Sequence, residues 1–301
     1  MRHSVFSMKT LLLSTIAFLA AVMAATAADP IRVSSFSTIL TEIAQQVGGD
    51  RVAVTGHVKP GIDPHEFEPK PADLKIVGDA QLILLSAKHM ESYVGKLKEA
   101  TGTKGTMVEV GNGFASLKMK SEKDPDKVIE DPHWWHSIGN MEKAVKIVRD
   151  ELIKISPADK QTFTDNAAKY LSKLDALEKW AKNELAKLPR DKRKLVTSHD
   201  AFQYFAKENG FTIHAIEGIS SEDQPSSKKV GEIVSAIKTE GVKAIFPESI
   251  ENPKVLTEIT RETGAKVGPV LYADGLGDTP EASTYEAMYK HNVTAIVEAL
   301  K

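Results

Sequence analysis

Near the middle of this chain about thirty residues hold unbroken helical spacing, and the rest of the fold has to be arranged around them. Ser156-Pro157-Ala158-Asp159 is a strong helix start, with serine as N-cap, proline at the first helical position and a carboxylate at the third. Phe163, Ala167, Tyr170, Leu171, Leu174, Leu177, Trp180, Ala181 and Leu185 then keep one face apolar, and Pro189 marks the stop. About thirty residues of α-helix reach some 45 Å, more than one small lobe requires. The spacing therefore predicts a helix over 156–189 that runs along two lobes and joins them without a flexible linker. A coiled-coil arm is the competing reading, but the apolar stripe is wider than a two-position seam.

On both sides of this helix, short apolar runs alternate with helical patterns. Residues 31–36, 52–58, 82–85 and 107–110 read as strands before it, and 194–198, 211–215, 244–246 and 267–270 after it. Several are apolar almost throughout, as strands buried on both faces must be. Between them, Ile39, Leu40, Ile43, Ala44 and Val47 form a helical stripe over 37–47. Asn252-Pro253 opens a helix that Gly264 closes, and Thr279-Pro280 opens the last one. The predicted fold is α/β: two lobes with mostly parallel sheets flanked by helices, bridged by one long rigid helix. The domains are then a leader at 1–28, an N-terminal lobe at 29–155, the linking helix at 156–189 and a C-terminal lobe at 190–301.

The leader reading rests on Arg2 and Lys9, the absence of acidic residues before Asp29, and an apolar run over 11–25 broken only by Ser14 and Thr15. Ala25-Thr26-Ala27 supplies the small-x-small cleavage pattern of a cleavable signal peptide. The run falls short of the roughly 20 residues that a membrane span needs. The chain has no cysteine, so disulfides and thiolate ligands are excluded, and with them the cysteine a lipid anchor would use. The expected location is the periplasm, with no lipid anchor. Loss of Arg2 and Lys9 with the leader takes the formal net charge from −2 to −4, a balance that points away from nucleic acid as a partner.

Nine histidines are present. His3 lies in the leader, His57 and His214 in strand-like runs, His291 in the last helix, and His89 among polar residues; each reads as structural or exposed. His65 sits in Asp63-Pro64-His65-Glu66, His133 and His136 in Asp131-Pro132-His133-Trp134-Trp135-His136, and His199 in Ser198-His199-Asp200. By spacing alone His65, His133 and His199 are three distant loop histidines and do not make a site. Position adds something: in open α/β sheets ligands bind beyond the carboxyl ends of strands, and the α/β reading allows all three, with Asp274, to meet at such an edge.

Together these segments resemble the zinc- and manganese-binding components of ABC-type metal uptake systems. The matching motifs run in family order over nearly the whole chain: Asp63-Pro64-His65-Glu66-Phe67-Glu68-Pro69, Asp131-Pro132-His133-Trp134-Trp135, Ser198-His199-Asp200-Ala201-Phe202, Pro247-Glu248-Ser249 and Tyr272-Ala273-Asp274. The resemblance implies a metal held between the lobes, with His65 and His133 from the first and His199 and Asp274 from the second. It also implies an ABC transporter permease in the inner membrane as partner, and a monomeric binding protein rather than an enzyme. Three imidazoles and one carboxylate suit Zn2+, whereas Mn2+, the alternative, prefers more oxygen ligands.

Two departures from the family pattern stand out. The stretch 118–130, where many zinc-binding members carry a histidine-rich loop, contains no histidine and reads as a solvated charged loop. His136 stands three residues after His133, where it is either a support or an alternate ligand. Asp63, Glu66, Glu68 and Asp200 are candidates to accept the second ring N–H of a ligand histidine, and Glu248 to lie beside the metal. A zinc hydrolase with Glu66 or Glu248 as base is the rival from another class; no His-Glu-x-x-His helix accompanies it.

Overall fold

The computed structural model describes residues 29–120, 126–220, 225–249 and 254–301; the predicted leader at 1–28 lies outside them. Chain order begins with β1 (Ile31–Ser35), α1 (Thr38–Gly48), β2 (Val52–Gly56), α2 (Pro71–Asp79), β3 (Leu82–Leu85), α3 (Val94–Thr101) and β4 (Thr106–Glu109). These four strands form one parallel sheet in the order β2-β1-β3-β4. After the long helix come β7 (Lys194–Thr197), α6 (Gln203–Asn209), β8 (Thr212–Ala215), α7 (Ser227–Glu240), β9 (Ala244–Phe246), α8 (Lys254–Thr263), β10 (Lys266–Val267) and α9 (Tyr285–Leu300). Their parallel sheet runs β10-β9-β7-β8. Both sheets share one topology. In each, the lobe's first strand lies between its second and third, which creates a switch point where loops diverge and leave a crevice. The α/β expectation with two bridged lobes holds.

The β3 and β9 runs match their expected bounds because they are wholly apolar and wholly buried. Other elements differ. The long helix begins as a tight turn, Pro157–Asp159, in which Ser156 Oγ donates to Asp159 Oδ2 at 2.7 Å instead of capping the helix. The α-helix proper, α5, spans Lys160–Leu185, 26 residues or about 39 Å. Its buried stripe of Phe163, Ala167, Tyr170, Leu174, Leu177, Ala181 and Leu185 packs on α1, on α9 and on α4 (Ile138–Ile155), a helix absent from the sequence expectations. The stretch 118–130 is not simply a charged loop, since its ends pair as an antiparallel hairpin, β5 (Lys118–Lys120) with β6 (Val128–Glu130). The last helix starts at Tyr285 with Thr284 as N-cap, not at Thr279-Pro280. β10 stops at Val267, ahead of Gly268 and of Pro269, which has no N–H for a ladder.

One hydrophobic core runs through both lobes and α5. It joins Ile39, Leu40 and Ile43 to Phe163, Leu174, Phe202, Leu271, Tyr285 and Val293, with about 1.5–3 kcal/mol from each fully buried large side chain. Glu42 bolts the junction. Buried, it accepts from Tyr170 Oη at 2.8 Å and from the Tyr285 N–H at 2.6 Å, tying α1, α5 and α9 together.

The loop after β3 is strained. Ala87, Lys88 and His89 all have left-handed φ, at 74°, 56° and 68°, at about 1–2 kcal/mol per residue. The buried Glu91 carboxylate holds the loop by accepting the Ser86 and Ala87 N–H groups at 2.6 and 3.0 Å. Ser86 O in turn accepts from Trp134 Nε1 at 3.1 Å, next to His133.

Candidate metal centre

Both Asp-Pro-His segments fold alike. Asp63 Oδ1 accepts the His65 N–H at 2.8 Å, and Asp131 Oδ1 accepts the His133 N–H at 2.9 Å. Each is an Asx turn, the local structure an aspartate two residues ahead favours. At His133 the same oxygen also takes Nδ1–H at 2.9 Å, which puts the ring proton on Nδ1 and turns the Nε2 lone pair outward. His199 stands two residues beyond β7, at the switch point. Its Nδ1–H donates to Glu248 Oε2, and its backbone N–H lies 3.3 Å from Glu248 Oε1. Glu248 stands at the same distance beyond β9, so the neighbouring strands β7 and β9 deliver a matched pair.

The three Nε2 atoms converge on Asp274. His65 Nε2 is 3.2 Å from His133 Nε2, which is 3.3 Å from His199 Nε2. Asp274 Oδ1 lies 3.4 Å from His65 Nε2 and 3.3 Å from each of the other two. None of these three approaches is a directed hydrogen bond, so a buried carboxylate oxygen is without a hydrogen-bond partner amid three imidazole nitrogens. Side-chain exposure is 10% for His65, 5% for Asp274, 1% for His199 and 0% for His133, which makes the loop-borne His65 the face nearest solvent.

The electrostatics are those of a carboxylate sealed in with imidazoles. Burial opposes the charged forms of His199, His133 and Asp274, yet the Asp274 charge, with Glu248, holds His199 well above the usual histidine range. Burial likewise opposes charge on His133, but Asp131 and Asp274 lift it. Burial would raise the Asp274 carboxyl, and the neighbouring imidazoles, His199 foremost, hold it well below the ordinary carboxylate range. Without metal the cluster therefore retains protons that an incoming cation has to displace.

His136 does not face the cluster. It is buried, and its Nε2–H donates to Ala273 O at 2.8 Å while its ring lies on Phe202 at 4.4 Å between centroids. Burial and the neighbouring His133 push its pKa down to about 3. Glu248 is the Nδ1 acceptor of His199, and Glu66 is exposed. The acceptor missed from the sequence is Asp131; its signal was its place two residues before His133. Among the remaining histidines, His57 bridges Asp73 Oδ1 at 2.9 Å and Ser34 Oγ at 3.2 Å. That Ser-His-Asp order resembles a catalytic triad, but the Ser34 residue and the His57 side chain are 0% and 1% exposed, closed to any substrate. Among the described residues His65, His133, His199 and Asp274 are the one group able to hold a metal ion.

Residues 33–299 match the family described as zinc-uptake complex component A, periplasmic. The manganese-binding lipoprotein MntA of Bacillus subtilis is 30% identical over 277 residues, 90% of each chain. The iron-binding protein YfeA of Yersinia pestis is 31% identical over 272 residues, 90% of this chain and 86% of its own. The periplasmic zinc-binding protein TroA of Treponema pallidum superposes with a TM-score of 0.82 at 27% identity, over 90% of this chain and 99% of TroA.

One expectation is corrected here. The chain was expected to go without a lipid anchor, but relatives that span it almost end to end are named lipoproteins, so that exclusion does not stand. The physical reason is that an anchor belongs to the segment ahead of the folded lobes. Nothing in the packing of the described residues bears on it; among them no helix is long and apolar enough to cross a membrane. With its two α/β lobes, its bridging helix and a family match over residues 33–299, the chain belongs to the zinc-uptake complex component A family of metal-binding proteins of ABC-type uptake systems.

Proposed function

We propose that the chain captures one divalent transition-metal ion, zinc in preference to manganese, through Nε2 of His65, His133 and His199 and Oδ1 of Asp274. It then yields the ion to an inner-membrane permease. The carrying observation is the set of ligand-atom separations, 3.2–3.4 Å along five of the six edges. A tetrahedron with metal–ligand bonds of about 2.0–2.1 Å has edges of about 3.3–3.4 Å. Three nitrogens and one oxygen at that spacing suit zinc, whereas manganese favours oxygen-rich, six-coordinate surroundings. The names of the relatives cover manganese, iron and zinc, so the preference rests on the donor set.

We read the chain as a carrier and not a catalyst. Four protein ligands fill a tetrahedral site and leave no position for an activated water. Glu248, the hydrolase candidate, is engaged by His199 on the side of the ring away from Nε2. The large apolar residues exposed among the described ones, Ile62, Ile76, Val128, Val267 and Val270, are few, which supports a monomer. The metal-bearing unit is read as lobes at 29–155 and 190–301 about a linker at 156–189.

The test is competition titration of the metal-free protein with zinc and with manganese, repeated for His199→Ala and Asp274→Ala. Each variant is expected to lose zinc affinity by tenfold or more. Unchanged zinc affinity in both would refute the site, and tighter manganese than zinc binding would reverse the preference.

A further inference from the structure

His136 touches the segments that carry three of the four cluster residues. It follows His133 within the turn Trp134–His136. Its ring lies on Phe202, three residues after His199, and its Nε2–H donates to the carbonyl of Ala273, the residue before Asp274. Trp135 Nε1–H donates to the same carbonyl, also at 2.8 Å. On the other side of Asp274 the Leu276 N–H donates to Thr38 Oγ1 at 2.9 Å. Asp274 thus belongs by sequence to the second lobe, yet its segment is fastened at residues 273 and 276 to the first. The Ala273 carbonyl shares its peptide plane with the Asp274 nitrogen, so the two donors that fix this carbonyl fix where the Asp274 side chain starts.

We propose that His136 is a positioning residue for Asp274, setting where the sole oxygen of the donor set stands and thereby the discrimination between zinc and manganese. The inference rests on the metal-site reading above. A carboxylate held by two donors at Ala273 O stays at the edge length of a compact four-coordinate site. With one donor the segment can relax outward, toward the larger and more oxygen-rich surroundings that manganese prefers. Trp135 alone keeps the segment in place; the second donor narrows its range.

The test compares His136→Phe, which keeps the ring on Phe202 and loses the donor, with His136→Gln, which keeps an N–H donor. His136→Leu is a second donor-free variant in case the phenylalanine disturbs folding. Each metal-free protein is titrated with Zn2+, Mn2+ and Co2+, the last read through its visible absorption, which is intense for four-coordinate and weak for six-coordinate cobalt. The donor-free variants are expected to lose about tenfold in zinc affinity, as removal of a supporting contact does. Their zinc-to-manganese ratio should narrow and their cobalt band weaken, while glutamine restores both. Parent-like cobalt spectra and metal ratios in the donor-free variants, even with lowered melting temperatures, would overturn the proposal and leave a packing role. Absence of a four-coordinate cobalt band in the parent protein would instead overturn the site itself.

Discussion

Removing the Glu248 carboxylate should weaken zinc binding without touching a ligand atom. Glu248 is 4% exposed and receives both the Nδ1–H and the backbone N–H of His199. Glu248→Ala takes away the acceptor that fixes the ring, so Nε2 is no longer held on the metal position. Losing such a support reduces metal affinity by about 10–100-fold, which is about 1.4–2.7 kcal/mol. Two buried donors also lose their acceptor, at about 1–3 kcal/mol each in the stability of the metal-free protein. Glu248→Gln keeps an acceptor and loses the charge, so its affinity loss should be the smaller. Because the Glu248 charge helps raise His199, and glutamine lacks that charge, the zinc affinity of the glutamine variant should fall less steeply with falling pH than that of the parent. The assay is competition against a chromophoric chelator at two pH values, with thermal denaturation of the metal-free forms. Zinc affinity of Glu248→Ala within threefold of the parent, despite a lowered melting temperature, would refute the idea that Glu248 acts through His199.

Metal-free and metal-loaded protein should respond to pH with opposite slopes. The raised His199 and His133 stabilise the metal-free fold fully below the ordinary histidine value, and that contribution is lost as pH rises through their folded values. The depressed Asp274 contributes above the ordinary carboxylate value, down to its lower folded one. Metal has to displace the imidazole protons, so the melting-temperature increment from zinc should grow between about pH 5 and 8; a flat increment would sink the account. Gly275→Ala should weaken metal binding, because an added Cβ would stand 2.4 Å from Thr38 Oγ1, the acceptor of the Leu276 N–H. Zinc titration of Gly275→Ala checks this, and parent-like affinity would argue against the contact.

Much of the site was legible because the motifs carry local structure with them: an Asp-Pro-His segment builds its own turn, and His199 follows a strand whose apolar run marks it as buried. What was not legible depends on distant partners. The start of α9 is fixed by the Thr284 cap, a local signal that Thr279-Pro280 overshadowed, and by Glu42, which accepts the Tyr285 N–H from 243 residues away. His136 read as either a support or an alternate ligand, because helical spacing brings it near His133. Its donor role depends on Ala273, 137 residues on. The hairpin β5–β6 escaped notice because both of its strands are only three residues long.

The core that passes without a break from α1 through α5 to α9 also means that the two lobes are not interchangeable parts. A cut after α4 would strip the apolar faces of α1 and α4 of the helix that covers them, and leave Glu42 buried without its two donors. Each half carries a complete four-stranded sheet, so a gene fragment for one lobe looks self-sufficient, yet its product would expose the surface on which the other half is built. Residues 31–301 form a single compact unit, and a chimera of two relatives would have to exchange the helical interior along with the sheets.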